Sequence, residues 1–205
     1  MPSKPTVTPV LVAELLVEGE RMPVYVHVID SPDGRVLVDT GMTETHPAVA
    51  DMDPRVIPLN TQDVDLDDID IVVNTHLHFD HCGGNRLFAG KPIFVQRREL
   101  DDARSQDDYT IPEWVDAPGV TYVEVDGELE LAPGVRLFAA PGHTPGSQVV
   151  VVETGDHPTV IVGDTAVTSS DLDDPSTEGQ RLVRSFDPEQ VWLSHAHVPW
   201  RRGTP

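Results

Sequence analysis

Four apolar runs in this chain each lead into a side chain able to hold a metal. IDIVVNTH (69–76) ends at His76, RLFAAPGH (136–143) at His143, TVIVGD (159–164) at Asp164 and QVWLSH (190–195) at His195. Their apolar runs, each carrying Val, Ile, Phe or Trp, predict β-strands. Functional groups gather on loops at one edge of a rigid scaffold, so a fold that suits this chain brings four strand ends to a common rim. The densest stretch is His76-Leu77-His78-Phe79-Asp80-His81, with four potential ligands in six residues. Burying three imidazoles and a carboxylate together without a cation would leave several polar groups unsatisfied.

The full candidate set is His76, His78, Asp80, His81, His143, Asp164 and His195. Seven donors exceed what one tetrahedral ion uses, so two divalent ions sharing a bridging carboxylate are expected. Imidazole and carboxylate without thiolate suit zinc, manganese, iron or cobalt, and the donor types alone do not choose among them; zinc is the ion expected. A closed structural zinc site would draw on cysteines and four ligands, whereas this set reads as open and catalytic.

Around these motifs the chain reads as strands 10–19, 23–30, 35–41, 91–96, 120–127, 134–143 and 147–155. Surface helices are expected at 97–108 and 176–186. Strands dominate, which predicts an α/β sandwich of two sheets with external helices, formed as a single domain over residues 1–205. One cysteine excludes a disulfide framework. With 14 Lys+Arg against 35 Asp+Glu and a net charge of −21, no basic stripe exists for nucleic acid. The acidic stretches at 63–70, 99–108 and 171–174 read as solvated surface. No apolar run reaches the roughly 20 residues of a bilayer span, and MPSKPTVTPVL lacks a signal-peptide layout. A soluble, cytoplasmic protein acting on a small molecule, with no membrane or nucleic-acid partner, is therefore expected.

Thr75-His76-Leu77-His78-Phe79-Asp80-His81-Cys82-Gly83-Gly84 resembles the HxHxDH signature of the metallo-β-lactamase superfamily. Val38-Asp39-Thr40-Gly41, Pro141-Gly142-His143-Thr144-Pro145-Gly146-Ser147, Gly163-Asp164-Thr165 and Ser194-His195 match further motifs in order. The resemblance implies an αββα sandwich of two mixed sheets with a dinuclear site at one edge. It implies that His76, His78 and His143 hold one metal and that Asp80, His81 and His195 hold the other. Asp164 would bridge the two, and Asp39 would orient the metal loops. HLHFDHCGGN followed by PIFVQRREL is similar to the N-acyl-homoserine-lactone lactonases, the quorum-quenching branch. That likeness implies hydrolysis of a cyclic ester to a hydroxy acid. Two divalent ions would generate a metal-bridging hydroxide, and Asp80 is the expected catalytic proton carrier. Such enzymes often carry a tyrosine three residues after the bridging aspartate, where this chain has Val167. The segment between Gly41 and Ile69 is short for that branch.

Other branches fit less well. Ten residues follow His195, too few for the helical domain glyoxalase II uses to hold glutathione. B1 β-lactamases place cysteine where Asp164 stands, and the tRNA nucleases need a basic grip. A mononuclear-iron persulfide dioxygenase, a hydrolase of another ester, thioester or β-lactam, and a non-catalytic metal module are the alternatives. Among other residues, Cys82 reads as packing, His197 as a competitor of His195, and His27, His46 and His157 as ordinary. Phe79, Trp114 and Trp200 are candidates for a pocket wall, and Trp192 for the core.

Overall fold

The structure is a computed structural model that describes residues 4–203. The first sheet contains β1 (Thr6–Val17), β2 (Glu20–Ser31), β3 (Gly34–Val38), β4 (Arg55–Val56), β5 (Ile71–Val73), β6 (Pro92–Gln96) and β7 (Thr121–Val125). Their spatial order is β4-β1-β2-β3-β5-β6-β7. The second sheet contains β8 (Leu129–Ala132), β9 (Val135–Ala139), β10 (Gln148–Val152), β11 (Thr159–Ile161), β12 (Gln190–Trp192) and β13 (Trp200–Arg201), in the order β13-β12-β11-β10-β9-β8. Both sheets are mixed: β3, β5, β6 and β7 run parallel, as do β11 and β12, and the other pairs are antiparallel.

The period-2 alternation of the strands divides the core into layers. Ile29, Val36, Val38 and Val73 of the first sheet meet Val135, Leu137, Val150, Val152 and Ile161 of the second, which fills the space between them. On the outer face of the first sheet, Val24, Val26, Val28 and Leu37 share one apolar cluster with Trp114 of α3 (Pro112–Val115) and Phe79 of α1 (Phe79–Cys82). On the outer face of the second, Val149 and Val151 pack on Leu172 of α4 (Ser169–Asp173) and Val183 of α5 (Glu178–Ser185). Strand β10 is buried on both faces, which is why it reads Gln-Val-Val-Val-Val without polar interruption. Each such valine contributes roughly 1.5–3 kcal/mol on burial. The layers are therefore helix, sheet, sheet, helix, the αββα sandwich expected.

The structure corrects the expected element boundaries. Strands β5, β11 and β12 end three residues before His76, Asp164 and His195, and β9 ends four before His143. The metal-capable side chains stand on the loops, because their backbone leaves the ladder to turn over the rim. Strands β4, β8 and β13 and helices α3 and α4 are not among the elements read from the sequence. Trp114 and Trp200, candidates for a pocket wall, belong to the buried core clusters instead. Both are buried, Trp114 against Gly83 and His46, and Trp200 with its indole N–H donated to Asp173 Oδ1 at 2.9 Å. Among the described residues no helix is long and apolar enough to cross a membrane.

Candidate metal centre

The rim loops bring all seven predicted donors together in three overlapping groups: His76, His78 and His143; His76, His81 and Asp164; and Asp80, His81 and His195. Residues 76–78 follow β5, and His78 caps the single turn of α1, which carries Asp80 and His81. The rings of His76, His78 and His143 form a near-equilateral triangle with centroids 4.7, 4.8 and 5.0 Å apart. Nε2 of His81 lies 3.7 Å from Asp80 Oδ2, and Nε2 of His195 lies 3.6 Å from the same oxygen.

Asp164 stands between the groups. Its Oδ1 faces Nε2 of His195 at 3.1 Å and of His81 at 3.2 Å, and its Oδ2 faces Nε2 of His143 at 3.5 Å and of His76 at 3.8 Å. One carboxylate thus offers one oxygen to each half of the cluster.

The inner nitrogens are aimed by what holds the outer ones. His81 Nδ1 pairs with Asp39 Oδ2 at 2.9 Å, and His195 Nδ1 donates to the carbonyl of Pro23 at 2.8 Å. Each contact fixes the ring so that Nε2 points inward. Asp39 follows β3 in the left-handed region, with φ of 62°, a conformation aspartate tolerates better than most residues. That turn delivers both carboxylate oxygens to the rim: Oδ1 accepts from the Thr75 N–H at 2.7 Å, and Oδ2 also accepts from the Thr75 hydroxyl at 2.8 Å. Gly163 is required beside it, since a Cβ there would lie 2.3 Å from Thr75 Oγ1.

The donor set fits divalent cations. Nε2 of His76, Nε2 of His81 and Oδ1 of Asp164 are buried without a hydrogen-bond partner, and all three point into the cluster. Burial, then the neighbouring His81, holds His76 well below the ordinary imidazole range. For His81, burial alone would lower the value, but Asp164, Asp80 and Asp39 outweigh it and push the ring well above that range. His195 is raised by Asp164 and Asp80 against the same burial. His81 and His195 in turn overcome the burial of Asp164 and hold its carboxyl well below the usual range. The carboxylates therefore demand positive charge where the donor atoms converge.

The remaining candidates fall outside this cluster. His197 is exposed, and its Nδ1 pairs with the Tyr25 hydroxyl at 3.0 Å. Cys82 is buried, with Sγ on the carbonyl of Leu77 and its thiol pushed up by burial. Phe79 lines a cavity of about 480 Å³ beside the cluster with His78, Tyr109, Val49, Ala48 and Ile111. Tyr109, whose ring lies 5.2 Å from that of His78, was not singled out in the sequence. Neither was Glu99, while Thr75 and Thr144 stood in the matched motifs without a role; their side chains bond Asp39 and Glu99, and Glu99 also accepts from the Leu77 N–H.

The chain belongs to the metallo-β-lactamase superfamily, whose sequence profile matches residues 19–195. Within it, the chain is 32% identical over 187 residues to the N-acyl homoserine lactonase AiiA of Bacillus thuringiensis subsp. kurstaki, covering 82% of this chain and 72% of that one. The solved structure of an N-acyl homoserine lactone hydrolase, with N-hexanoyl-L-homoserine bound at its catalytic metal centre, superposes with a TM-score of 0.74. It shares 25% identity over 95% of this chain and 94% of that one. The dizinc quorum-quenching lactonase AidC shares the fold, with a TM-score of 0.60 and 18% identity over 88% of this chain and 75% of its own. Family and relatives together support a metal-dependent hydrolase.

Proposed function

We propose that this protein is a dinuclear metal-dependent lactonase that opens N-acyl-homoserine lactones to the hydroxy acid. The observation that carries the two-ion reading is the division of Asp164, with one oxygen toward His143 and His76 and the other toward His195 and His81. The lactone is the substrate supported by the similarity to AiiA. In this reading His76, His78 and His143 hold one ion, Asp80, His81 and His195 the other, and Asp164 both, with zinc the ion expected.

Two such ions would supply Lewis acidity to a carbonyl and lower the pKa of a bound water toward neutrality. The protein's own groups do the rest. In this reading Asp80 takes the proton of the attacking water on a carboxylate oxygen. As the ring C–O bond breaks, the same oxygen returns that proton to the departing alkoxide. The apolar side chains of Phe79, Val49 and Ile111, on a cavity beside His78 that Asp108 and Thr110 also line, suit an acyl chain.

The test is metal analysis and turnover on one preparation, against an acyl-homoserine lactone, an aryl ester, a thioester and a β-lactam. Two zinc ions per chain and preferential lactone opening are expected. One iron with oxygen consumption on a persulfide would favour the dioxygenase, and metal without turnover would leave a binding module.

A further inference from the structure

Glu99 lies in the first turn of α2 (Arg97–Ser105), within an acidic stretch that reads as solvent-facing, yet its side chain is fully buried. Every hydrogen bond it makes ends beside a ligand of one half of the centre. Oε1 accepts from the N–H of Leu77 at 2.8 Å, between His76 and His78. Oε2 accepts from the hydroxyl of Thr144 at 2.7 Å, next to His143. Oε1 also accepts from the Tyr109 hydroxyl at 2.6 Å, and the Tyr109 ring packs 5.2 Å from that of His78. The 144–147 loop reaches this position because Gly146 has no side chain: a Cβ there would lie 2.2 Å from the backbone nitrogen of Glu99. Asp39 makes the corresponding contacts elsewhere, to His81 and Thr75.

We infer that Glu99 is the positioning residue of the His76–His78–His143 half and sets the affinity of the ion bound there, separately from the other half. Three donors on a buried carboxylate are charge-assisted and hold two loops from different sheets at fixed separation. The inference rests on the two-ion reading above. Loss of an outer partner of a metal ligand typically lowers affinity about 10–100-fold.

The experiment titrates the metal-free full chain with zinc against a chromophoric chelator. Wild type is expected to show two binding steps, and His143→Ala identifies the step belonging to its half. Glu99→Gln should weaken that step about 10–100-fold and spare the other. Thr144→Val should weaken the same step, and Thr144→Ser should retain it. Equal weakening of both steps by folded Glu99→Gln, or no change in either, overturns the assignment. Should Glu99→Gln not fold, an unchanged zinc titration of Thr144→Val overturns it instead. Fewer than two zinc ions on wild type would bring down the two-ion reading itself.

Discussion

Oδ1 of Asp164 lies 3.1 Å from Nε2 of His195, while the other oxygen of the same carboxylate faces His143. A group shared in this way cannot be removed from one half alone. Asp164→Ala is expected to loosen both zinc ions together and to abolish lactone turnover. Zinc per chain after dialysis checks it; retention of one tightly held ion with substantial activity would mean that Asp164 serves a single site.

The position three residues beyond Asp164 bears on substrate. Val167 is half-buried, and its N–H is tied to Asp171 Oδ2 at 2.9 Å. A phenol there would add a donor to the developing oxyanion, and one such donor is typically worth on the order of a hundredfold in kcat. Val167→Tyr is expected to raise kcat on an acyl-homoserine lactone more than on an aryl ester. Equal loss on both substrates, at unchanged zinc content, would count against a lactonase pocket.

Gly163 has a φ of 52°, and a Cβ on it would press on Thr75, whose hydroxyl bonds Asp39. Gly163→Ala is expected to cost about 1–3 kcal/mol in backbone strain and to weaken zinc binding as well, because Asp39 aims His81. Urea midpoints of the metal-free chain and a zinc titration read the two effects separately. A stable variant with unchanged zinc affinity would show that the loop yields without moving Asp39.

His27 offers a test by pH. It is buried, with both ring nitrogens unpartnered, and burial followed by the repulsion of His81 lowers its pKa to about 3. The unfolded chain takes up this proton near pH 6.5 and the folded chain does not. The stability it confers is therefore full above about 6.5 and falls toward pH 3, by about 1.4 kcal/mol per pH unit. His27→Phe is expected to flatten the acid limb of stability between pH 7 and 5 relative to wild type. Parallel limbs for the two proteins would place the acid sensitivity elsewhere.

The four loops that carry the metal-capable side chains were legible because each follows an apolar run, and those runs form β5, β9, β11 and β12. The strand ends were not, since a ladder stops where its partner stops and only the folded chain sets that. Glu99 and Asp101 are local equals in the sequence; what buries Glu99 is the approach of Gly146 from 47 positions away, and no local pattern records it. Trp114 misled in the opposite direction. An aromatic near a predicted site can wall a pocket or fill a core, and the choice fell to the close packing of Gly83 on its ring.

The donors come from both sheets: His76, His78, Asp80 and His81 follow a strand of the first, and His143, Asp164 and His195 follow strands of the second. Cations held among them would clasp the two halves of the sandwich at its open edge. A chelator would then act on this protein partly as a denaturant does, and its melting temperature would rise with free zinc by mass action. The lifetime of the folded chain would follow the zinc supply of its surroundings, so that starvation for the metal would deplete the protein as well as silence it.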